Sequence, residues 1–383
     1  MKEAPECLVM AKPAGPRCNA RCEYCYYLEK QSLFQASSPR MSEELLELYI
    51  SQRFEASPGP NTHFEWHGGE PTLLGVEYFK SIRNFQRKYT PEGRTVTNGL
   101  QTNGLLLDEE WAEFLSLEGF SVGLSLDGPE DLHDLYRTTA AGKPTHAQAV
   151  HAFQLLKKHR VFCNVLCVLH SGNVSQPGRV YDFFRSLGAV YIQFLPLVVQ
   201  GIHGSISPAA AEPTAIGTFL CQVFDRWIKE DVGRVVIQNF DEALRPVYGV
   251  PHALCVHRKT CGDIAVLEHD GSFYACDHFV GPEYRIGTLR QRKLIDLARD
   301  PEMIRFGKAK QHSLPAFCRE CGVLDACNGG CPKDRIAKTA DGKGGLNYLC
   351  PAYKAFFFHS RPELTRLAAH MKAGKSLRSF CPE

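Results

Sequence analysis

No stretch of this 383-residue chain approaches the roughly 20 apolar residues that a membrane-spanning helix requires. The opening residues, MKEAPECLVMAKPAGP, also lack the apolar segment of an export signal. A soluble, cytoplasmic protein is therefore expected. Charge of one sign is missing too, since the formal net charge is +2 and basic residues form no cluster. That removes the electrostatic basis for binding nucleic acid or an anionic membrane surface. There is no low-complexity tract, and no internal repeat beyond an alternation of strand-like and helix-like segments. With 44% apolar and 22% charged residues, what remains is a core-forming chain long enough for two domains.

Cysteine is what the chain has in excess, with 16 residues. In a reducing compartment disulfides seldom persist, and thiolates kept reduced in such numbers point to metal. Their distribution is uneven: three fall in Cys18–Cys25 and eight between Cys255 and Cys350, so two metal-bearing regions are expected. The remaining five read as ordinary residues. Cys163 and Cys167, four apart on a strand, share a face and pack as small apolar groups. Cys7, Cys221 and Cys381 have no partner at ligand spacing.

Strands are expected at Cys7–Lys12, His63–Trp66, Thr95–Gln101, Phe120–Leu126, Val161–Leu169 and Tyr191–Leu195. In Phe120–Leu126 the apolar residues alternate with Ser121, Gly123 and Ser125, a period of two. Helical stretches separate the strands: one starts after a cap at Ser42, and others cover about Val76–Tyr89, Asp108–Leu117, His146–His159 and Val180–Leu187. Repeated strand-then-helix units predict an α/β fold with a parallel sheet and right-handed crossovers. Six units suit a (β/α)6 partial barrel, whose chemistry sits on the loops after the strands' C-terminal ends. An open doubly wound sheet is the alternative. From about Asn239 glycine, proline and cysteine rise, and long helices are scarce until Tyr353–Lys372. The expected division is a barrel over residues 1–235 and a metal-organised domain over 236–383.

The distinctive motifs fall on the expected loops. CNARCEYC places Cys18, Cys22 and Cys25 at C-x3-C-x2-C spacing after the first strand. GGEP (Gly68–Pro71) follows the second strand, QTNG (Gln101–Gly104) the third, and SLDG (Ser125–Gly128) closes the fourth. A four-iron cluster that only transfers electrons takes four thiolates, so three leave one iron open to a small ligand. Zinc is the alternative reading of the same residues, although a catalytic three-ligand zinc usually includes histidine. In HGGEP the paired glycines allow close approach of backbone to a ligand, and Glu70 can meet a ligand ammonium. As structure alone, GGEP is a tight turn.

CNARCEYC resembles the signature of radical S-adenosylmethionine enzymes. The resemblance implies that the cofactor's amino and carboxylate groups occupy the open iron, and that one electron from the cluster cleaves the sulfonium to a 5′-deoxyadenosyl radical. It further implies that Gly69 meets the methionyl amine through its carbonyl. Ser125 and Arg137 take the ribose and carboxylate region, and Tyr24 and Val198 touch the adenine side. Protein of this kind orients its cofactor and excludes water.

The second region reads Cys261-x9-Gly271-x4-Cys276, then Cys318-x2-Cys321-x5-Cys327-x3-Cys331, then Cys350, with Cys255 ahead of it. This spacing resembles the SPASM domain of peptide-modifying radical enzymes, a structural zinc domain being the alternative. Eight cysteines suffice for two clusters with four protein ligands each. The resemblance implies one auxiliary cluster on Cys255, Cys261, Cys276 and Cys331, and another on Cys318, Cys321, Cys327 and Cys350. Together with the triplet that makes three [4Fe–4S] clusters. His257, His269 and His278 lie near the cysteines and can tune them.

LQTNG, VGLSLDGP, YACDHFV, ACNGGCPKDR and LNYLC together resemble anaerobic sulfatase-maturating enzymes along nearly the whole chain. That family oxidises one Cys or Ser of a sulfatase to Cα-formylglycine. The implied partners are a sulfatase polypeptide and a low-potential reductant such as flavodoxin or ferredoxin. Asp277, beside Cys276, matches the family's proton acceptor; without the family, an Asp after a metal-bound cysteine reads as a turn or supporting residue. His67 stands where some relatives carry Gln, which leaves the choice between Cys and Ser open. Another peptide-modifying radical reaction, such as thioether formation or cofactor maturation, is the nearest alternative, and a zinc-binding interaction module the alternative of another class. Because Cys18 comes so early, the substrate is expected to be recognised at the barrel mouth rather than by a preceding leader-binding domain.

Overall fold

The structure is a computed structural model that describes residues 8–34, 40–57, 59–200 and 205–382, without the side chain at position 29. It divides into two compact units. The first holds the residues up to Ser125, Arg137–Cys163 and Cys261–Gly307; the second holds Leu126–Tyr136, Asn164–Thr260 and everything from Lys308. Among the described residues twelve strands are assigned in chain order: β1 Leu8–Lys12, β2 Asn61–Trp66, β3 Thr95–Thr102, β4 Phe120–Ser125, β5 Phe162–Leu169, β6 Tyr191–Pro196, β7 Val236–Ile237, β8 Ile264–Glu268, β9 Ser272–Tyr274, β10 Arg285–Thr288, and an antiparallel pair, β11 Ala337–Lys338 and β12 Gly344–Leu346.

In the first unit the strand order is β10–β9–β8–β1–β2–β3–β4. The β1–β2, β2–β3 and β3–β4 pairs are parallel. Along β2, Thr62, Phe64 and Trp66 are buried while their neighbours are less so, the alternation that a half-covered strand imposes. Phe64 and Trp66 meet Tyr49, and Trp66 meets Phe79, with ring centroids 5.9–6.4 Å apart. Phe79 in turn meets Trp111 at 5.2 Å. Helix Glu43–Ala56 is capped by the Ser42 hydroxyl, which accepts from Leu45 N at 3.3 Å. Asp108 caps Glu109–Leu117 in the same way, accepting from Trp111 N at 3.0 Å.

The second unit carries the parallel run β5–β6–β7. Its core is aromatic as well: Phe240 meets Phe224, Trp227 and Phe356 at 5.2–5.5 Å. Phe356 lies on the last long helix, Cys350–Lys372, which begins with a cysteine. No helix among the described residues is long and apolar enough to cross a membrane.

The six strands expected from the sequence all form within two residues of their expected bounds, Cys7 lying outside the described residues. Several elements have no counterpart in the sequence expectations, among them helices Gln238–Tyr248 and Pro301–His312 and two that matter most here. Helix Pro213–Glu230 is one, since Thr214, Gly217, Thr218 and Cys221 weaken its local preference; tertiary burial of Ile216, Phe219, Leu220, Val223 and Phe224 overrides that. The other is β8, which pairs in parallel with β1 in the register Lys12↔Glu268.

Candidate active site

In the first unit the C-terminal ends of β1 to β4 lead into the four motif loops, which is where parallel sheets concentrate chemistry. The cysteine loop after β1 is pinned from the side, with Arg21 N donating to Thr138 O at 2.7 Å and Ala20 bridging Thr139. Cys25 N closes a turn onto Cys22 O at 3.0 Å. The sulfurs receive donors: Ala20 N reaches Cys18 Sγ at 3.4 Å, Asn103 Nδ2 reaches it at 3.6 Å, and Arg137 Nη1 reaches Cys22 Sγ at 4.0 Å. Burial pushes the Cys18 thiol up to about 12; the Ala20 hydrogen bond opposes this, while Glu70, Cys22 and Cys25 add to it. A bare thiol placed as Cys18 is stays protonated, and a bound cation is what ionises it.

The GGEP strap lies directly against the residues that lead into this loop. Gly69 N donates to Gly15 O at 2.9 Å, and Glu70 N donates to Arg17 O at 2.7 Å. A Cβ at Gly69 would stand 2.0 Å from Arg17 O, so glycine is a steric requirement there. Glu70 is fully buried, and its carboxylate accepts from Thr72 N, Thr72 Oγ1, Thr102 Oγ1 and Asn103 N at 2.6–3.0 Å. Burial pushes its pKa up, and those hydrogen bonds pull the other way. The Arg137 guanidinium sits 5.5 Å over the Tyr24 ring, and Gln101 Nε2 donates to Ser125 Oγ at 3.3 Å. Gly69 and Arg137 thus lie against the segment that carries the cysteines and Tyr24, with Ser125 held at the end of β4. Val198 lies in the second unit, where its carbonyl accepts from Lys333 Nζ at 3.4 Å.

Asp277 sits in a buried network built on Lys12, the last residue of β1. The Lys12 ammonium is fully buried and pairs with Asp277, whose other carboxylate oxygen accepts from the Tyr26 hydroxyl. Lys12 also lies 3.7 Å over the Tyr27 ring and 4.0 Å from Glu268, and the Tyr27 hydroxyl donates to Glu268 at 2.6 Å. One cation therefore faces two carboxylates and stays with the nearer. Burial alone raises the Asp277 pKa, but Lys12, His67 and His278 overcome it and hold the carboxyl well below the usual range. Glu268, farther away, is pushed up by burial to about 7, against the pull of Lys12 and Tyr27. Tyr26 and Tyr27 follow Cys25 directly, so the network abuts the cysteine loop.

In the second unit, Cys318, Cys321, Cys327 and Cys350 are electrostatic neighbours: burial pushes Cys327 up to about 12, and the other three add to that rise. Cys331, likewise pushed up to about 12 by burial, has Cys255 among its neighbours. Three consecutive left-handed residues, Asn328, Gly329 and Gly330, turn the chain between Cys327 and Cys331. Cys261 and Cys276 belong to the first unit. Among the described residues, no three His, Cys, Asp or Glu side chains converge on a single metal ion. Grouped thiols form a donor set of the soft, sulfur-only kind that iron–sulfur clusters use.

The model of the Radical SAM superfamily matches residues 13–184, and that of the SPASM iron–sulfur cluster-binding domain matches residues 255–322. A serine-type anaerobic sulfatase-maturating enzyme of Bacteroides thetaiotaomicron is 41% identical over 370 residues, covering 92% of this chain and 89% of the relative. The chain belongs to the anaerobic sulfatase-maturating enzymes. A cysteine-type member from Clostridium perfringens is 33% identical over 378 residues, covering 96% of this chain and all of the relative. The solved structure of native anSMEcpe with bound AdoMet and the Cp18Cys peptide superposes with a TM-score of 0.87 at 32% identity, covering 96% of this chain and all of that one. The protein is thus a radical S-adenosylmethionine enzyme with an iron–sulfur SPASM domain.

Sequence reasoning had no place for Lys12, Tyr26, Tyr27, Glu268 or Asn103. One signal was available: a lysine ending the apolar strand LVMAK cannot be buried without a carboxylate. Of the three histidines near the cysteines, His278 packs edge-on against Tyr26 at 5.0 Å and His269 against Phe34 at 5.1 Å. His257 is buried against Tyr353, and burial lowers its pKa to about 3.

Proposed function

We propose that the protein oxidises one Cys or Ser side chain of a sulfatase polypeptide to Cα-formylglycine, using S-adenosylmethionine and three [4Fe–4S] clusters. Cys18, Cys22 and Cys25 hold the cluster that accepts the cofactor, which Tyr24, Gly69, Ser125, Arg137 and Val198 contact. Cys255, Cys261, Cys276 and Cys331 hold one auxiliary cluster; Cys318, Cys321, Cys327 and Cys350 hold the other. The frame is a (β/α)6 partial barrel over residues 1–235 followed by the cluster domain over 236–383. The enzyme works in the cytoplasm with a low-potential reductant such as flavodoxin or ferredoxin.

The observation that carries this reading is the seat of Asp277. It adjoins Cys276, it is held ionised beside Lys12, and it is bound to Tyr26, which follows Cys25. When bound, the clusters and cofactor supply hydrogen-atom abstraction at the substrate Cβ and a sink for one further electron. Loss of that hydrogen atom, the Sγ–H or Oγ–H proton and one electron leaves C=S or C=O; water then converts the thiocarbonyl to the aldehyde with release of hydrogen sulfide. Asp277 is the acceptor of the proton, a role that requires the ionised carboxylate. Lys12 keeps it ionised, and the Tyr26 hydroxyl fixes Oδ2.

The test incubates anaerobically reduced protein and S-adenosylmethionine with Cys- and Ser-containing sulfatase peptides and reads aldehyde by mass. Aldehyde on either peptide is expected. If neither peptide changes while 5′-deoxyadenosine accumulates, the sulfatase assignment fails and the radical chemistry stands. In Asp277→Asn, iron content and 5′-deoxyadenosine release persist while aldehyde falls roughly 100- to 10,000-fold. Full aldehyde yield in that variant removes Asp277 from the mechanism.

A further inference from the structure

Asn103, in the loop after β3, is fixed at both ends of its side chain. Leu105 N donates to its Oδ1 at 3.0 Å, a turn in which only a carbonyl oxygen can accept. The opposite end is therefore the NH2 group. Its Nδ2 donates to Asn19 Oδ1 at 2.8 Å and faces Cys18 Sγ at 3.6 Å. Its main-chain N–H, meanwhile, donates to Glu70 at 2.8 Å. The amide orientation follows from these partners rather than from a free choice. Ala20 N supplies a second donor to the same sulfur at 3.4 Å.

Hydrogen bonds to ligand sulfurs shift an iron–sulfur potential, because they stabilise the extra negative charge that reduction places on the sulfur. We infer that Asn103 is a positioning residue that raises the reduction potential of the cluster at Cys18, Cys22 and Cys25 by donating Nδ2–H to Cys18 Sγ. The inference rests on the reading of these three cysteines as the cluster loop. Replacing the side chain leaves the main-chain bond to Glu70 in place, so the two functions of the residue separate.

The experiment is an anaerobic redox titration followed by electron paramagnetic resonance. The relevant cluster is the one whose signal changes when S-adenosylmethionine is added. Asn103→Ala and Asn103→Leu remove the donor without adding charge; Asn103→Asp keeps the oxygen that Leu105 uses. In all three the ratio of reduced to oxidised cluster at a fixed potential falls about tenfold, equal to a shift of about 59 mV for one electron. Iron content and cofactor affinity of the oxidised protein stay at the wild-type level. A wild-type potential in either neutral variant overturns the inference, whatever the Asp variant does. Loss of the cluster from both neutral variants but not from Asn103→Asp assigns the side chain to the turn alone and also overturns it. Absence of any signal responsive to S-adenosylmethionine in the wild-type protein overturns instead the cluster reading itself.

Discussion

The thiol loop of the first unit and the cysteine quartet of the second solve different problems with the same side chain. Around Cys18 and Cys22 the sulfurs receive Ala20 N, Asn103 Nδ2 and Arg137 Nη1, and a buried carboxylate, Glu70, is anchored by four donors beside them. Around Cys318, Cys321, Cys327 and Cys350 the chain is organised by its backbone. Cys321 N donates to Cys318 O at 3.2 Å, Cys327 N to Val323 O at 2.9 Å and Cys350 N to Asn347 O at 2.9 Å. Asn347 Nδ2 then ties Cys331 O at 3.1 Å. Three thiols come with polar groups able to bind something further; four thiols come with turns that fix sulfur positions. The contrast teaches that polar groups gathered around three thiols, rather than the thiols alone, are what suit the proposed open site.

The sharpest way to break this comparison is to remove one cysteine from each set. Cys25→Ala should lower S-adenosylmethionine cleavage by at least roughly 1,000-fold if, as proposed, its thiol holds the cleaving cluster. Cys321→Ala should lose about four irons per chain, the content of one cluster, yet still release 5′-deoxyadenosine when reduced. Iron analysis and product chromatography check both. Equal loss of cleavage in the two variants would erase the functional distinction between the sets.

A gentler contrast uses glycine. At Gly69 an added methyl meets Arg17 O at 2.0 Å, which displaces the strap that carries Glu70. Gly69→Ala should therefore weaken cofactor binding at least about tenfold, or about 1.4 kcal/mol, measured by equilibrium binding to oxidised protein. At Gly330, with φ +62°, an added methyl would stand 2.4 Å from Asn347 Nδ2. Gly330→Ala should cost about 1–3 kcal/mol of stability and shed iron, with cofactor affinity intact.

How much of this was legible in the sequence follows from the range of the interactions involved. The strands and their loops were, because the period-two pattern of Phe120–Ser125 and caps such as Ser42 are local. The cysteine loop and GGEP were, because their chemistry is contained in a few consecutive residues. The lysine–carboxylate network was not, because Lys12 meets Glu268 and Asp277 only through the β1–β8 pairing, across more than half the chain. Asn103 was invisible for a related reason. QTNG marks a loop, but which amide end faces Cys18 depends on Leu105 and Asn19 together.

The thiol loop of the first unit should also respond to pH, since it abuts the Lys12 network. Burial, opposed by Lys12 and Tyr27, raises Glu268 from an ordinary 4.5 to about 7. Between those values the folded chain binds a proton at this site that the unfolded chain has released. The contribution of this group to stability is then fully present below pH 4.5 and is lost as pH rises through about 7, by up to about 3 kcal/mol. Glu268→Gln keeps an acceptor for the Tyr27 hydroxyl and removes the titration, so its unfolding midpoint should vary less across that window. Denaturant titrations at several pH values, compared with wild type, measure the difference. If the slope is unchanged, the proton resides elsewhere in the network and Lys12 is shared evenly by its two carboxylates, against the 4.0 Å separation from Glu268.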